Sequence, residues 1–431
     1  MDKPLATEDR APDEAFVIPG LHPGLQFGGP PVPLWRRRPH QTSTVVNCAT
    51  DPGDRAAIDR SLERLAATLA AGPRVEFNAV PALLEQARFQ RSLVSVGGRY
   101  LLSGPAGVRA RTRYYLRDRS RHQAMAAFLN AQTREAAGGP VGWNASLPEG
   151  VDICLDARGF TNYYHFMAEV MTALATVADI AEGRRIRIHS PNPVISDTSF
   201  AMRFIGAFFG ELAPAIDIVN DVRPADYERC IHPCLADHFF YMLPFDLLPA
   251  AEGQEELSGL LARDSATLTG YNRLRAQKFD GRLSLLRRQM LSQIVPGDTA
   301  LPKKILLNRK PGGGSDRPAE RWDEVCRDLL RQGFEEVFFE DHAPKAQIAL
   351  VNNAKVVVAL HGAGVTNMLF ADPGTRFIEV GNLENTGGRL AVFSELAEAA
   401  GCDYRMLAAD RTLPEYGSNG VKKLSRVRLT D

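Results

Sequence analysis

Long apolar runs are missing from this sequence: no stretch approaches the roughly 18 residues needed to span a bilayer. The opening segment, MDKPLATEDRAPDEAF, is polar and lacks the hydrophobic centre of a secretory signal. Cysteine is also scarce, with six residues scattered along 431, which favours reduced thiols over a disulfide framework. We therefore expect a cytoplasmic protein.

An excess of charge of either sign is also missing, because Lys plus Arg and Asp plus Glu each number 51. A nucleic-acid-binding protein needs a basic face, so we expect no nucleic acid partner. No D-x-D sequence is present to hold a divalent metal ion against a diphosphate. Cys230, His232 and Cys234 form a small cluster, but a structural zinc site needs four ligands and no second pair follows. We expect no metal site.

The sequence does contain strand-like and helix-like segments in alternation, which is typical of parallel α/β sheets. Apolar runs such as SLVSV and KVVVALH alternate with helical patterns such as RWDEVCRDLLRQGF. A chain of 431 residues is too long for a single ordinary core. We predict two α/β lobes facing across a cleft. The predicted segments are an extended lead-in at 1–40, a first lobe at 41–250, a helical bridge at 251–299, a second lobe at 300–410 and a tail at 411–431.

The stretch VVVALHGAGVTNMLF, residues 356–370, combines three features in one segment. Its apolar start indicates a buried strand, and its glycines allow a sharp turn and a close approach. The following TNMLF suggests a short helix capped by Thr366 or Asn367. A strand, a glycine turn and a helix N-terminus together predict a binding site for an anion.

Three predicted strands of the second lobe end in polar residues, and ligands of open parallel sheets bind beyond the carboxyl ends of strands. Arg309 and Arg321 offer planar forks to phosphate oxygens, and Glu379 offers a carboxylate to ribose hydroxyls. Each residue alone has an ordinary structural explanation, but their common position at strand ends favours a nucleotide diphosphate site. The expected site comprises Asn308, Arg309, Arg321, His361, Gly362, Ala363, Gly364, Thr366, Asn367 and Glu379.

An NAD-dependent oxidoreductase is an alternative interpretation of the same glycines. The segment from Gly362 to Asn367 nearly matches G-x-G-x-x-G, and Glu379 follows Gly362 by seventeen residues. Two features argue against this alternative: Asn367 stands in place of the third glycine, and the predicted helix is too short for a dinucleotide-binding crossover.

Three stretches share the motifs of one known family. They are NYYHFMAE at 162–169, KILLNR at 304–309 with RWDE at 321–324, and QIALVNNAKVVVALHGAGVTNMLF at 347–370. With these motifs the chain resembles glycosyltransferase family 61, over about residues 150–385. The segment between Arg309 and Arg321 is expanded relative to the family pattern.

The resemblance implies an inverting, nucleotide-sugar-dependent glycosyltransferase with two Rossmann-like lobes, a GT-B-like fold. The donor, expected to be UDP-linked, is then a co-substrate, and neither a cofactor nor a metal is required. Lacking an anchor, the chain is similar to bacterial members that build capsule or other surface polysaccharide. We therefore expect a glycan or glycolipid acceptor and leave open a peripheral contact with the inner membrane. A catalytically inactive donor-binding scaffold is the non-enzymatic alternative.

Inverting transfer requires a group that takes a proton from the acceptor hydroxyl. In the first lobe, Asn162 is a plausible N-cap of a helix on which His165 and Glu169 lie four residues apart, on one face. A histidine oriented by a carboxylate is a suitable base near neutral pH. We expect His165 with Glu169 to be catalytic, while Glu169, Asp156 and His361 remain alternative bases and a packed core histidine remains the structural alternative.

Overall fold

The protein is described from a computed structural model. The residues that the structure describes are 10–19, 22–29, 35–38, 43–69, 74–114, 121, 124–125, 127–128, 131, 143–144, 146–191, 199–235, 237, 278–294, 300–310, 319–386, 388–411 and 427–428. Most of the predicted helical bridge and most of the predicted tail lie outside these residues.

Most strands are short, as expected for an α/β protein, and the two longest among the described residues, Ala79–Gln90 and Ala225–Leu235, have 12 and 11 residues. In chain order they are β1 Phe16–Val17, β2 Leu25–Gly28, β3 Trp35–Arg38, β4 Thr44–Asn47, β5 Arg74–Phe77, β6 Ala79–Gln90, β7 Leu93–Val96, β8 Arg99–Leu101, β9 Trp143–Asn144, β10 Ile153–Asp156, β11 Ile186–Ser190, β12 Ile216–Asn220, β13 Ala225–Leu235, β14 Lys278–Asp280, β15 Lys304–Asn308, β16 Glu335–Phe338, β17 Val356–Leu360, β18 Arg376–Asn382, β19 Asp403–Arg411 and β20 Val427–Arg428.

Helices separate most of the parallel strands. They are α1 Pro12–Ala15, α2 Pro52–Leu69, α3 Gly104–Tyr114, α4 with its consecutive parts Tyr163–His165, Phe166–Met171 and Thr172–Val177, α5 Phe200–Phe208, α6 Gly281–Leu291, α7 Trp322–Arg331, α8 Pro344–Asn353 and α9 Gly388–Ala400. Short 3₁₀ helices span Ala178–Ile180, Ala213–Ala215, Phe339–Asp341, Ala363–Phe370 and Leu383–Asn385. Within the described residues, no helix has the length and apolar character needed to cross a membrane.

The predicted mixed α/β class is confirmed. The run SLVSV forms β7, KVVVALH forms β17, and RWDEVCRDLLRQGF forms α7. Gly333 follows α7 with φ of 83°, the left-handed conformation that glycine adopts at helix C-termini.

The described residues belong to two compact units, one within 1–39 and 71–286 and the other within 40–70 and 287–431. The segment 41–70 was predicted in the first lobe but belongs to the second unit. The reason is that β4 pairs in parallel with β19, from Thr44 opposite Arg405 to Asn47 opposite Ala408. The helix α2 follows β4 directly and packs against β19.

The first unit contains a mixed sheet of order β1-β8-β7-β6-β13-β10-β11-β12. The strands β13, β10, β11 and β12 are parallel, as predicted, whereas β6, β7 and β8 form an antiparallel meander joined to β13. The lead-in is part of this unit, because β1 pairs with β8, β2 with β6, and β3 with β5. Its core includes Phe16, Phe27, Phe89, Leu101 and Ala106.

The second unit contains a sheet of order β16-β15-β17-β18-β19-β4, parallel throughout, with β20 antiparallel to β19. The chain passes from β15 to β16 on one side and then returns to place β17 on the other side. The two neighbours β15 and β17 therefore mark the topological switch point of this sheet, where α/β proteins bind ligands beyond the carboxyl ends of their strands.

One buried carboxylate adds hydrogen bonds to the attachment of β4 and α2 to the second unit. Asp410 accepts hydrogen bonds from the Thr50 amide at 3.0 Å, the Thr50 hydroxyl at 2.7 Å and the Asp51 amide at 3.0 Å. Asp410 is only 3 % exposed, so water cannot replace these bonds.

We predict that Asp410→Ala lowers the free energy of unfolding by about 3 kcal/mol, because it removes several hydrogen bonds to a buried charge. Asp226→Ala is the control, since Asp226 forms an exposed pair with Arg88, and its effect is expected to stay below about 1 kcal/mol. Equilibrium urea unfolding measures both values, and equal losses in the two variants would contradict the assignment.

Candidate functional site

The carboxyl ends of β15 and β17 bring together two of the predicted segments. Arg309 follows the last residue of β15, and His361 follows the last residue of β17. The two strands are direct neighbours, with Leu307 opposite Ala359. The amide of His361 donates to the carbonyl of Val380 at 2.8 Å, which extends the pairing with β18 by one residue. Arg309 and His361 therefore lie at the switch point of the sheet.

Gly362 leaves room for the side chain of Arg309. A Cβ atom at residue 362 would lie 1.7 Å from Nη2 of Arg309, far inside van der Waals contact. Its φ of 165° is an extended conformation open to any residue, so backbone strain does not explain the glycine. The predicted close approach is thus present, and the group that approaches is the guanidinium of Arg309.

His361 is held by a buried carboxylate. Its Nδ1 is hydrogen-bonded to Oε1 of Glu379, and the hydroxyl of Tyr404 donates to Oε2 of Glu379 at 2.6 Å. The side chain of Glu379 is 1 % exposed. Burial, followed by the charge of Glu379 and the hydrogen bond to it, raises the pKa of Tyr404 well above its usual range. Glu379 therefore orients His361 from a buried position, and its predicted bond to ribose hydroxyls stays a prediction.

The helix after the glycine turn differs from the prediction. It is a 3₁₀ helix that begins at Ala363, with Gly362 as its N-cap, so the predicted cap at Thr366 or Asn367 is wrong. Both residues lie inside the helix and are 0 % exposed. Ala363 and Gly364 are partly exposed at its first turn, so a ligand here would reach their backbone before the side chains of Thr366 and Asn367.

Asn308 and Arg321 make contacts that are structural. The Asn308 side chain accepts from Nε1 of Trp322 at 2.7 Å and donates to Glu336 at 2.6 Å. Arg321 has φ of 63°, immediately precedes α7, and donates to Glu324 at 2.7 Å. Asn308 thus fixes the start of α7, and the phosphate-binding role of Arg321 stays a prediction.

In the first unit, the start of α4 forms as predicted. The Asn162 side chain accepts from the amide of His165 at 3.2 Å, which confirms the N-cap. Nδ1 of His165 is 2.8 Å from Oε1 of Glu169. The helix changes to π geometry over Phe166–Met171, and single π turns occur frequently at functional sites. The His165 side chain is 25 % exposed and Glu169 is 11 % exposed, so the ring is the more accessible member of the pair.

Arg109 of α3 connects this pair to a second carboxylate, a contact that the sequence analysis missed. Its Nη2 donates to Oδ2 of Asp156 at 2.7 Å, and its Nη1 lies 3.4 Å from Oε2 of Glu169. Burial by itself would raise the pKa of Glu169. The hydrogen bond with His165 and the charges of Arg109, His165 and Arg158 outweigh burial and lower it.

Asp156 also lies near a buried histidine. Nε2 of His232 is 3.7 Å from Oδ1 of Asp156, and its Nδ1 is 2.8 Å from the carbonyl of Cys154. Burial lowers the pKa of His232, which favours a neutral ring. His232 is 4 % exposed, so it contacts Asp156 from within the core of the first unit.

Comparison with known families agrees with these motifs. An arginine at the switch point of a parallel sheet is the geometry of an α/β protein that binds a ligand at this edge. The family model described as Glycosyltransferase 61 matches residues 163–378. The chain therefore belongs to glycosyltransferase family 61 and is a glycosyltransferase. The match includes His165, Glu169, Arg309 and His361 but not Arg109. No curated protein matches the chain.

Asp221 is a buried carboxylate beside this cluster. Its Oδ2 accepts from the amide of Ser92 at 2.6 Å, while Oδ1 has no hydrogen-bond partner among the described residues. Burial, and to a lesser extent the charge of Asp156, raises the pKa of Asp221 to about 6, although the Ser92 amide and Arg109 oppose the shift. In the folded protein Asp221 therefore binds a proton at a higher pH than in the unfolded chain.

We predict that Asp221→Asn weakens the pH dependence of stability between about pH 4 and 6. Wild-type protein is expected to lose about 1–3 kcal/mol as Asp221 ionises over this window, because the unfolded chain releases its proton near pH 4. An asparagine oxygen can still accept from the Ser92 amide without ionising. Urea unfolding at pH 4.5 and pH 7 gives the difference, and equal changes in the two proteins would exclude the raised pKa.

Proposed function

We propose that this glycosyltransferase moves a sugar, with inversion, from a nucleotide diphosphate sugar to a hydroxyl of a glycan or glycolipid. The expected donor is UDP-linked, and the expected setting is bacterial surface polysaccharide synthesis. Membership of the family supports the transferase activity. The GT-B-like arrangement, with two lobes across a cleft, is part of this proposal.

The observation that carries the donor site is the packing of Arg309 against Gly362 at the switch point. A nucleotide diphosphate needs positive charge, and a guanidinium binds two phosphate oxygens through parallel hydrogen bonds. Backbone amides at the start of the Ala363–Phe370 helix add donors aimed at an anion. In this proposal Arg309 stabilises the leaving diphosphate without a metal ion.

The pair His165 and Glu169 supplies the base. As the acceptor oxygen bonds to the anomeric carbon, its proton passes to Nε2 of His165. The bond from that carbon to the diphosphate oxygen breaks at the same time, and its electron pair leaves with the diphosphate. Because Nδ1 of His165 faces Glu169 at 2.8 Å, the carboxylate can stabilise the positive charge that forms on the ring.

The oxidoreductase alternative gains no support from the fold. A dinucleotide-binding crossover uses a long α-helix after the glycine turn, whereas this chain has an eight-residue 3₁₀ helix there. An inactive scaffold would bind the donor but transfer no sugar. The transfer rates of wild type and His165→Gln therefore separate it from the proposed enzyme.

We predict that one nucleoside diphosphate stabilises the protein against heating, and that Arg309→Ala abolishes the effect. A ligand at 100 times its Kd adds about 2.7 kcal/mol, a shift of a few degrees for a chain of this size. Differential scanning fluorimetry with UDP, GDP, CMP, dTDP and NADH, each with and without EDTA, measures the shift. Gly362→Ala should abolish it as well, because the added methyl group displaces Arg309.

Arg376→Ala is the matched control for the donor site. Arg376 belongs to the same unit but opens β18, at the opposite end of the sheet, and pairs with Asp403 at 3.1 Å. This variant should keep the full ligand response. Stabilisation by NADH alone, or a response that depends on a divalent metal, would contradict the proposal.

We also predict that His165→Gln retains the donor response and lowers the transfer rate by about 10²–10⁴-fold, the usual contribution of a general base. The rate is measured as nucleoside diphosphate release from the donor whose nucleotide stabilises the protein. An unchanged rate would exclude His165 as the base, and an inactive wild-type protein that binds donor would favour the scaffold.

A further inference from the structure

The hairpin that joins β6 to β7 has an unusual turn. Its two central residues, Arg91 and Ser92, have φ of 51° and 60°. Two-residue turns with both φ values positive strongly favour Asn-Gly. In most residues other than glycine, the Cβ atom is crowded by the backbone in that conformation. Neither residue here is a glycine, so contacts from outside the turn must hold this backbone in place.

Those contacts come from three directions and meet at Ser92, which is 3 % exposed. Its amide donates to Oδ2 of Asp221 at 2.6 Å, and its hydroxyl donates to the carbonyl of Ala157 at 3.2 Å. Its carbonyl accepts from Nε of Arg109 at 3.1 Å and from Nη2 of Arg109 at 2.7 Å. The amide of Arg91 donates to the backbone carbonyl of Asp221 at 2.9 Å.

Arg109 therefore uses its guanidinium in two ways. Nε and Nη2 donate to the Ser92 carbonyl. Nη2 also donates to Asp156, and Nη1 reaches Glu169. A planar guanidinium fixed along one edge has little freedom to turn, so the strained turn sets the direction in which Arg109 meets the carboxylates.

We propose that Arg109 is a positioning residue that keeps Glu169 as the ionised acceptor of the Nδ1 proton of His165. This leaves Nε2 of His165 to receive the proton of the acceptor hydroxyl, so the proposal rests on the function proposed above. Among the described residues, no other hydrogen bond to the ring of His165 is made. Asp221 and the turn at Arg91 and Ser92 act through Arg109.

The direction of the effect follows from the charges around Glu169. The carboxyl group is largely buried, and Arg109 is one of the cations that lower its pKa against burial. Without this cation Glu169 binds a proton more readily. A protonated Glu169 donates to Nδ1 of His165, which forces the ring proton onto Nε2 and leaves no base at the accessible nitrogen.

The test is the tautomer of His165, read from ring ¹⁵N chemical shifts of the full-length protein labelled at histidine. His165→Gln identifies the signal. We expect the Nδ1-protonated form in wild type and a clear change toward the Nε2-protonated form in Arg109→Gln. The matched control is Arg88→Gln, which removes an exposed guanidinium from the same hairpin, paired with Asp226 at 2.6 Å, and should leave the signal unchanged.

Two further variants keep the proposal falsifiable if Arg109→Gln does not fold. Arg109→Lys keeps the charge but has no planar fork, so we expect a smaller change of tautomer in the same direction. Ser92→Gly removes the hydroxyl bond to Ala157 but keeps the carbonyl that Arg109 binds, so it should change the signal less than either Arg109 variant. An unchanged His165 signal in both folded Arg109 variants would overturn the proposal.

Kinetics separate this proposal from the proposed function. Arg109→Gln is expected to lower kcat about 100-fold at an unchanged KM for the donor, as for a displaced catalytic group. If His165→Gln transfers sugar at the wild-type rate, His165 is not the base and the proposed function fails on that point. The tautomer change in Arg109→Gln would still show that Arg109 positions the pair. A changed tautomer with an unchanged kcat would limit Arg109 to structure and overturn its role in transfer.

Discussion

A buried carboxylate must find hydrogen-bond partners inside the protein, because it has lost those offered by water. In each unit of this chain such a carboxylate takes a histidine as its partner: Glu169 holds His165, and Glu379 holds His361. Each bond orients its histidine ring through Nδ1, so Nε2 is the ring nitrogen that does not contact the carboxylate. Arg109 and Tyr404 extend these pairs by binding the second carboxylate oxygen.

The parallel sheet of the second unit determines where the proposed donor site lies. Successive strands of such a sheet deliver their carboxyl ends to one edge, and the reversal of strand order between β15 and β17 opens a crevice there. Arg309 occupies that point because Gly362 has no side chain to exclude it. The first glycine of the HGAG motif is thus explained by the packing of Arg309 as well as by any ligand that this arginine binds.

The sequence predicted the features that are local in the chain and missed those that depend on distant contacts. The strand at 356–360, the cap at Asn162 and the pair His165 and Glu169 follow from spacing within a few residues. Arg109 is 47 residues from Asp156 and 60 from Glu169, so no spacing indicates their contact. The long strand β6 was not predicted because its sequence AVPALLEQARFQ lacks regular alternation and contains a proline. Pro81 lies opposite Pro233 of β13, so the two residues without an amide hydrogen face each other. The burial of Glu379 and Thr366 is likewise set by neighbouring elements that a local pattern does not contain.

We propose an inverting transfer in which Arg309 stabilises the leaving diphosphate without a metal ion and His165 takes the proton of the acceptor hydroxyl. The most direct measurement is ¹H NMR of the product formed in EDTA from an α-linked donor, with the coupling constant of the new anomeric proton as the readout. The account predicts a β-linked product at an undiminished rate. An α-linked product, or transfer that stops until a divalent metal is restored, would contradict it.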